Sequence, residues 1–349
     1  MQRSYTNQKN QTRRRMNNPG KFNAMVTATG HFVPDRVLSN SDLEKFLDTK
    51  DEWITSRTGI KERRLLEKGQ PTSYMAIKAI EMLLEKRGIS ADEIDLIVVG
   101  TVTPDMMYPS TACIIQEAIG ANNAWGFDVL AACSGFIFAF STAVQFIMSG
   151  AHKKVIVVGC DKMSSIVDYE DRNTAILFGD AAAAFLLEPT EDKSYGYIDN
   201  ILHVDGKGAP FLHQLGGGSL NPATHETVDK KMHFVWQDGK TVFKAAVVGM
   251  ADISEEIMVK NNLHPDDVAY LVPHQANMRI ITACAERMKL PMDKVIVNIH
   301  KYGNTTAATI PLCISEYVYE GKIKKGDYLI LSSFGAGYTY GSILLRWAY

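Results

Sequence analysis

The chain has 349 residues, 46% of them apolar and 22% charged, with a formal net charge of −2. That composition suits a globular protein with room for two core-bearing layers or domains, and the near-balanced charge gives no global attraction for nucleic acid. No apolar run reaches the roughly 18 residues of a membrane span, and five widely spaced cysteines (113, 133, 160, 284, 313) without a C-x-x-C pair argue against a zinc site or disulfide framework and suit a reducing cytosol.

Residues 1–24 are basic (Arg3, Lys9, Arg13, Arg14, Arg15), carry no acid and lack an apolar h-region. They read as a disordered leader, a transit peptide, or the product of an upstream start codon with Met16 or Met25 the true beginning, and not as a secretory signal. Val26 to Gly30 is predicted as a strand, and Ser41-Asp42-Leu43-Glu44 as an N-cap with an acidic first turn. Trp53 and Arg57 are each ordinary as a covering aromatic and a solvated charge; together they suit a purine ring and a phosphate. The spacing of Met75, Ala76, Ala79, Ile80, Leu83 and Leu84 predicts a helix over 72–87 that stops at Gly88, ahead of a buried strand over 95–100. Met106, Met107 and Tyr108, in the irregular loop that follows, suit a cover over an apolar tunnel or a partner subunit.

Trp125 to Leu130 reads as a buried strand and Phe136 to Ser149 as an apolar helix, which puts Cys133 at the turn between them. The unpaired N–H groups and dipole of that helix would favour thiolate, lower the thiol pKa and make a nucleophile. A cysteine acting as a small buried hydrophobe is the competing reading. Further strands are predicted from Lys154 to Gly159 and after Phe178-Gly179.

The second half repeats this grammar. Ile89 to Val98 is echoed by Leu263 to Val272, and Phe178-Gly179 by Phe334-Gly335, so a duplicated α/β unit is expected, with halves at 25–200 and 201–349. Gly206 to Thr227, with Gly216-Gly217-Gly218, has the composition of a long flexible surface loop. His274 follows a buried strand, at the end where open α/β sheets place ligands, although a lone histidine there is more often structural. Asn304 sits in a tight turn opening a small-residue helix, which it is suited to cap.

Ala131-Ala132-Cys133-Ser134-Gly135-Phe136, Pro273-His274-Gln275-Ala276-Asn277, Gly303-Asn304-Thr305 and Phe334-Gly335-Ala336-Gly337 together resemble, in order and spacing, the β-ketoacyl-acyl-carrier-protein synthase III family. The resemblance runs from about Met25 to the C-terminus. It implies the thiolase fold, an α/β duplication in five αβαβα layers with mixed sheets, and an acyltransferase that condenses a short-chain acyl-CoA starter with malonyl-acyl-carrier protein to begin fatty acid synthesis. It implies catalytic Cys133, His274 and Asn304, with an oxyanion hole from the backbone N–H groups of Cys133 and Ala336. Trp53, Arg57, Arg172, Gly239 and Asn277 would hold CoA, Lys244 and Arg279 would dock an acidic carrier protein, and Tyr108 and Phe334 would border the acyl pocket. A cytoplasmic homodimer is implied, with acyl-CoA and acyl-carrier protein as partners, no nucleic acid or membrane, and no metal or organic cofactor.

Asn304 separates the chain from cousins, since thiolases resemble Cys-His-Cys, elongating synthases Cys-His-His and hydroxymethylglutaryl-CoA synthase Cys-His-Glu. Chalcone-type synthases share Cys-His-Asn but differ around the histidine. An α/β-hydrolase elbow would need glycine where Ala131 stands. Two alternatives stay open: a related condensing enzyme of specialised lipid or polyketide synthesis, and a non-catalytic partner subunit of the same fold, which usually lacks the nucleophile. The starter is open between acetyl and short branched groups, because one methylene changes selectivity by only about 1–3 kcal/mol.

Overall fold

A computed structural model describes residues 20–349, so the first 19 positions of the leader lie outside the described residues. The first strand, Asn23–Phe32, extends beyond the expected Val26 to Gly30 at both ends and pairs antiparallel with Asp180–Thr190. That pair is the edge of a five-stranded mixed sheet, completed in spatial order by Val155–Lys162, Leu96–Gly100 and Trp125–Val129, which run parallel to one another. A second, four-stranded sheet has the order Val268–Pro273, Tyr328–Gly335, Thr339–Arg346 and Gly196–Val204, with only its first pair parallel.

Helices supply the other three layers. Gly135–Met148 and Thr309–Tyr319 lie between the sheets and touch strands of both; Thr72–Arg87 and Thr111–Ala118 cover the outside of the first sheet, and Gly239–Lys260 and Met278–Arg287 that of the second. The result is the five-layer αβαβα thiolase fold. Ile97, Val98 and Val99 are consecutive and all fully buried because helices cover both faces of their sheet. The Gly135–Met148 helix is apolar nearly all round for the same reason: Phe136, Ile137, Phe140, Ala143, Val144 and Ile147 are all buried.

The helix is seated unusually deep. A β-carbon on Gly100 would lie 2.6 Å from the carbonyl carbon of Gly135, and one on Gly159 would lie 2.3 Å from the carbonyl oxygen of Ala307. Glycine at these positions lets strand ends, helix start and the turn after Asn304 close on one point.

Two expectations are corrected. The N-cap is Ser39 rather than Ser41: its hydroxyl accepts from the N–H of Asp42, whose carboxylate takes the Ser39 N–H in return. The Gly206 to Thr227 stretch is built rather than loose. Gly206–Phe211 forms a 3₁₀ helix, Leu212–His213 pairs with Trp236–Gln237, and Thr224 caps the short helix His225–Asp229. His213 stacks on Trp236 at 5.1 Å, and Lys231 bridges Asp168 and Glu170. Trp236, Lys231, Asp168 and Glu170 lie outside the Gly206 to Thr227 stretch, so its local composition carries no sign of them.

Gly159→Ala is expected to lose about 1–3 kcal/mol in denaturant unfolding through overpacking, whereas Gly206→Ala, whose β-carbon would meet nothing within 4 Å, stays within about 0.5 kcal/mol of wild type. Equal stability of the two variants would contradict the packing assigned to Gly159.

Candidate active site

Cys133 lies in a one-turn 3₁₀ segment, Ala132–Ser134, that joins the Trp125–Val129 strand to the Gly135–Met148 helix. Ala132 takes the left-handed backbone, φ 47°, to make the corner. The turn is sewn to the second sheet by three hydroxyls. Ser333 donates to the Cys133 carbonyl (2.8 Å), Ser134 to the Thr339 carbonyl (2.9 Å) and Thr339 to the Ala131 carbonyl (2.9 Å). A β-carbon on Gly335 would lie 2.8 Å from the Cys133 nitrogen, so glycine is what lets that strand end run beside the Cys133 N–H. Ala336 follows without a positive φ.

The expected depression of the thiol pKa is not what the structure shows. Burial, reinforced by the negative charge of Asp161, pushes the Cys133 thiol up to about 12, and the opposing hydrogen bonds from its own N–H and from the Asn304 side chain do not compensate. Desolvation outweighs the turn's N–H groups because the sulfur is enclosed between the sheets. Burial likewise holds His274 far below its ordinary value, at about 3, so the ring is neutral.

His274 ends the Val268–Pro273 strand and is 1% exposed; its N–H donates to the Ser332 carbonyl at 2.8 Å. Its Nδ1 lies 2.7 Å from the Thr309 hydroxyl, while Nε2 is buried without a hydrogen-bond partner. A buried unpaired ring nitrogen at a strand's carboxyl end marks a place for a ligand atom. Gln275 beside it fastens the histidine loop: its amide nitrogen donates to the carbonyls of Pro273 and Ile296, and its oxygen accepts from the N–H groups of Asn298 and Ile299. Sequence reasoning missed Gln275 and Thr309, because nothing local distinguishes them from any other buried polar residue.

Asn304 is pinned on both sides by the first half of the chain. Its N–H donates to the Leu177 carbonyl (2.9 Å) and its carbonyl accepts from Gly179 (3.1 Å). Gly303 enters the turn at φ 64°, where a β-carbon would also collide with the Leu177 carbonyl oxygen at 2.6 Å. The Asn304 side-chain oxygen accepts from the Thr306 N–H at 2.8 Å, so the amide nitrogen is left to face the Cys133 sulfur. The residue therefore does more than cap a turn.

The other predicted residues fall into three groups. The guanidiniums of Arg57 (4.9 Å) and Arg172 (5.0 Å) both lie over the Trp53 ring, and Asn277 reaches the Arg57 carbonyl at 3.1 Å, so four of the five proposed CoA contacts assemble in one place. Gly239 opens its helix just beyond Gln237, whose amide contacts the Asn173 carbonyl next to Arg172. Lys244 and Phe334 line a cavity of about 660 Å³, but Asp205, Asp252 and Glu256 line it too, so Lys244 is no part of a purely basic patch. Arg279 is exposed at the head of the neighbouring Met278–Arg287 helix. Tyr108 does not join the site of its own chain; it is 85% exposed, beside Met107 at 77%. Among the described residues no group of three His, Cys, Asp or Glu side chains is disposed to hold a metal ion, and no helix is long and apolar enough to cross a membrane.

The chain matches the family model for 3-oxoacyl-[acyl-carrier-protein] synthase III over residues 127–206 and that family's C-terminal model over 258–347. It is 58% identical over 326 residues to the β-ketoacyl-[acyl-carrier-protein] synthase III of Chlorobaculum tepidum, spanning 93% of this chain and 99% of that one. It is 53% identical over 330 residues to synthase III 2 of Bacteroides thetaiotaomicron, spanning 94% and 98%. Among solved structures, 3-oxoacyl-[acyl-carrier-protein] synthase III of Aquifex aeolicus superposes with a TM-score of 0.85 at 42% identity, covering 93% of this chain and 100% of that one. The priming β-ketosynthase of the R1128 polyketide pathway superposes at 0.87 with 32% identity, covering 95% and 98%.

His274 makes stability depend on pH. Between its folded value of about 3 and its ordinary 6.5, the unfolded chain binds a proton that the folded chain does not, so stability is full above the upper value and falls as pH drops through this window. At pH 5 the loss is about 2 kcal/mol. Urea midpoints at pH 7.5 and pH 5 are expected to fall further for wild type than for His274→Gln; identical shifts would show that the ring is not buried neutral.

Proposed function

This chain belongs to the β-ketoacyl-acyl-carrier-protein synthase III family, and we propose that Cys133, His274 and Asn304 carry its reaction. It is an acyl-transferring condensing enzyme that initiates fatty acid synthesis. The observation that supports the assignment is a pair of polar groups turned into the site: His274 Nε2, left without a partner, and the Asn304 amide nitrogen, which faces the Cys133 sulfur.

In this reading Cys133 attacks the acyl-CoA thioester, the thiol proton leaves with the CoA sulfur, and the acyl group stays on Cys133. The N–H groups of Cys133 and Ala336 hold the tetrahedral oxyanion. Malonyl-acyl-carrier protein then places its thioester carbonyl against His274 and Asn304. As the malonyl carboxylate departs as carbon dioxide, the electron pair of the broken bond becomes an enolate held by these two donors, and its carbon attacks the acyl group to release the Cys133 sulfur. A donor at Nε2 requires the tautomer in which Thr309 turns its hydroxyl proton from the Thr306 carbonyl, 3.1 Å away, to Nδ1. Low polarity around the site strengthens neutral donors, so no charged ring is needed. The reading uses no metal or organic cofactor.

The rest of the assembly follows from surfaces. Trp53 with two guanidiniums over its ring suits the adenine and phosphates of CoA, with Asn277 and Gly239 along the pantetheine arm. Exposed Lys244 and Arg279 suit an acidic carrier protein. The edge strand Trp125–Val129 is unpaired on one side, and Trp125, Leu130, Met107 and Tyr108 are exposed beside it. Such an edge suits pairing with a second copy, which would bring Tyr108 to the partner's acyl pocket, bordered by Phe334. The reading divides the chain into halves 25–200 and 201–349, although the second-sheet strand Gly196–Val204 straddles that boundary, and places it in the cytoplasm, in line with five free cysteines. A role in specialised product synthesis is weaker, since identity to the R1128 priming enzyme is 32% against 58% to the Chlorobaculum synthase.

Intact-protein mass after brief exposure to acetyl-, propionyl-, isobutyryl-, isovaleryl- and octanoyl-CoA is expected to show an acyl adduct on wild type and none on Cys133→Ala, the preferred adduct naming the starter. An adduct that survives in Cys133→Ala would overturn the assignment. His274→Ala and Asn304→Ala are expected to keep the adduct while carbon dioxide release from malonyl-carrier protein falls about 10²–10³-fold. Arg172→Ala is expected to raise KM for acyl-CoA by about tenfold at nearly constant kcat; a pure kcat loss would remove Arg172 from the CoA site.

A further inference from the structure

Asp161, near the end of the Val155–Lys162 strand, is a fully buried carboxylate with no ion-pair partner among the described residues. Its Oδ1 accepts from the Thr101 hydroxyl (3.0 Å), the Val102 N–H (2.8 Å), and the Thr103 N–H (3.2 Å) and hydroxyl (3.0 Å). Its Oδ2 accepts from the Thr306 hydroxyl and the Ala307 N–H. One oxygen thus collects the segment after the Leu96–Gly100 strand, and the other grips the turn that follows Asn304. A buried charge is costly unless fully hydrogen-bonded, and here every bond falls on one of these two segments.

Thr306 is the informative end. It holds φ at 49°, in the left-handed region that a β-branched residue strongly disfavours. Its carbonyl accepts from the Thr309 hydroxyl and N–H, and its own two donors are both spent: the hydroxyl on Asp161 and the N–H on the Asn304 side-chain oxygen. The second bond decides which end of the Asn304 amide faces Cys133.

We infer that Asp161 is a positioning residue for the condensation, acting through Thr306 to aim the Asn304 amide nitrogen into the site. The inference rests on the proposed role of Asn304 as an enolate donor. In Asp161→Asn an amide N–H₂ would replace an acceptor of the carboxylate, and wherever it pointed it would meet donors. In Thr306→Val the carboxylate and its charge stay in place and only the link to the turn is cut.

Two half-reactions of the full-length enzyme separate this from a general structural role: acyl transfer from acetyl-CoA to Cys133, read by mass, and carbon dioxide release from malonyl-carrier protein. Thr306→Val and Asp161→Asn are expected to slow carbon dioxide release by about tenfold or more, with acyl transfer within about twofold of wild type. Thr306→Ser is expected to restore release, and the double variant to be no slower than the worse single one. Equal loss in both half-reactions, wild-type release in Thr306→Val, or simple multiplication of the two effects would overturn the link. If Asp161→Asn does not fold, Thr306→Val decides alone. Asn304→Ala separates the two levels: if it keeps release, the catalytic reading of Asn304 fails; if it loses release while Thr306→Val does not, only the Asp161 link fails.

Discussion

At the head of the inter-sheet helix three backbones meet with no room for a β-carbon. Gly100 lies against Gly135, Gly159 against Ala307, and Gly335 against the Cys133 nitrogen, each closer than any side chain would permit. This contact fixes the depth of the Gly135–Met148 helix between the sheets, and with it the place where Cys133 emerges. The same approach brings the Asn304 turn, from the second half, onto strands of the first. Residues distant in sequence share one site because the layers cannot slide apart without opening these contacts.

Enclosure has an electrostatic consequence. A thiol pushed up and an imidazole pushed down leave the site without a mobile charge, and burial raises the neighbouring Asp161 carboxyl above its ordinary value as well. Neutral donors in a water-poor setting suit a reaction whose charge appears only transiently, on an oxyanion and then an enolate. The unpaired Nε2 of His274 is the counterpart: a buried ring nitrogen without a partner is costly in the empty protein.

Around this rigid centre the surfaces are of a different kind. The Gly206–Gln237 segment is tied down at Trp236 and Lys231, so its glycines serve turns rather than looseness. The cavity shared by Lys244 and Phe334 mixes cation, carboxylates and aromatic rings. The exposed edge strand and the Met107-Tyr108 loop put apolar area where a single chain has no use for it.

Much of this was legible from residue order alone. Helical spacing placed 72–87 and its stop at Gly88, apolar runs located strands, though Trp125–Val129 is a half-exposed sheet edge rather than a buried strand, and four short motifs named Cys133, His274 and Asn304. These signals are local: a period of 3.6 or 2, a capping residue, a glycine where the chain turns. What the order of residues did not disclose is every property that depends on distant neighbours. The direction of the Cys133 pKa turned on burial and on Asp161, the N-cap shifted to Ser39 because Asp42 returned its hydrogen bond, and the Gly206 stretch was ordered by contacts beyond its ends. Gln275, Thr306 and Thr309 were invisible as site residues because a polar side chain's meaning lies in which groups packing sets opposite it. Backbone preference is written residue by residue, whereas desolvation and hydrogen-bond partnership exist only once the layers have closed.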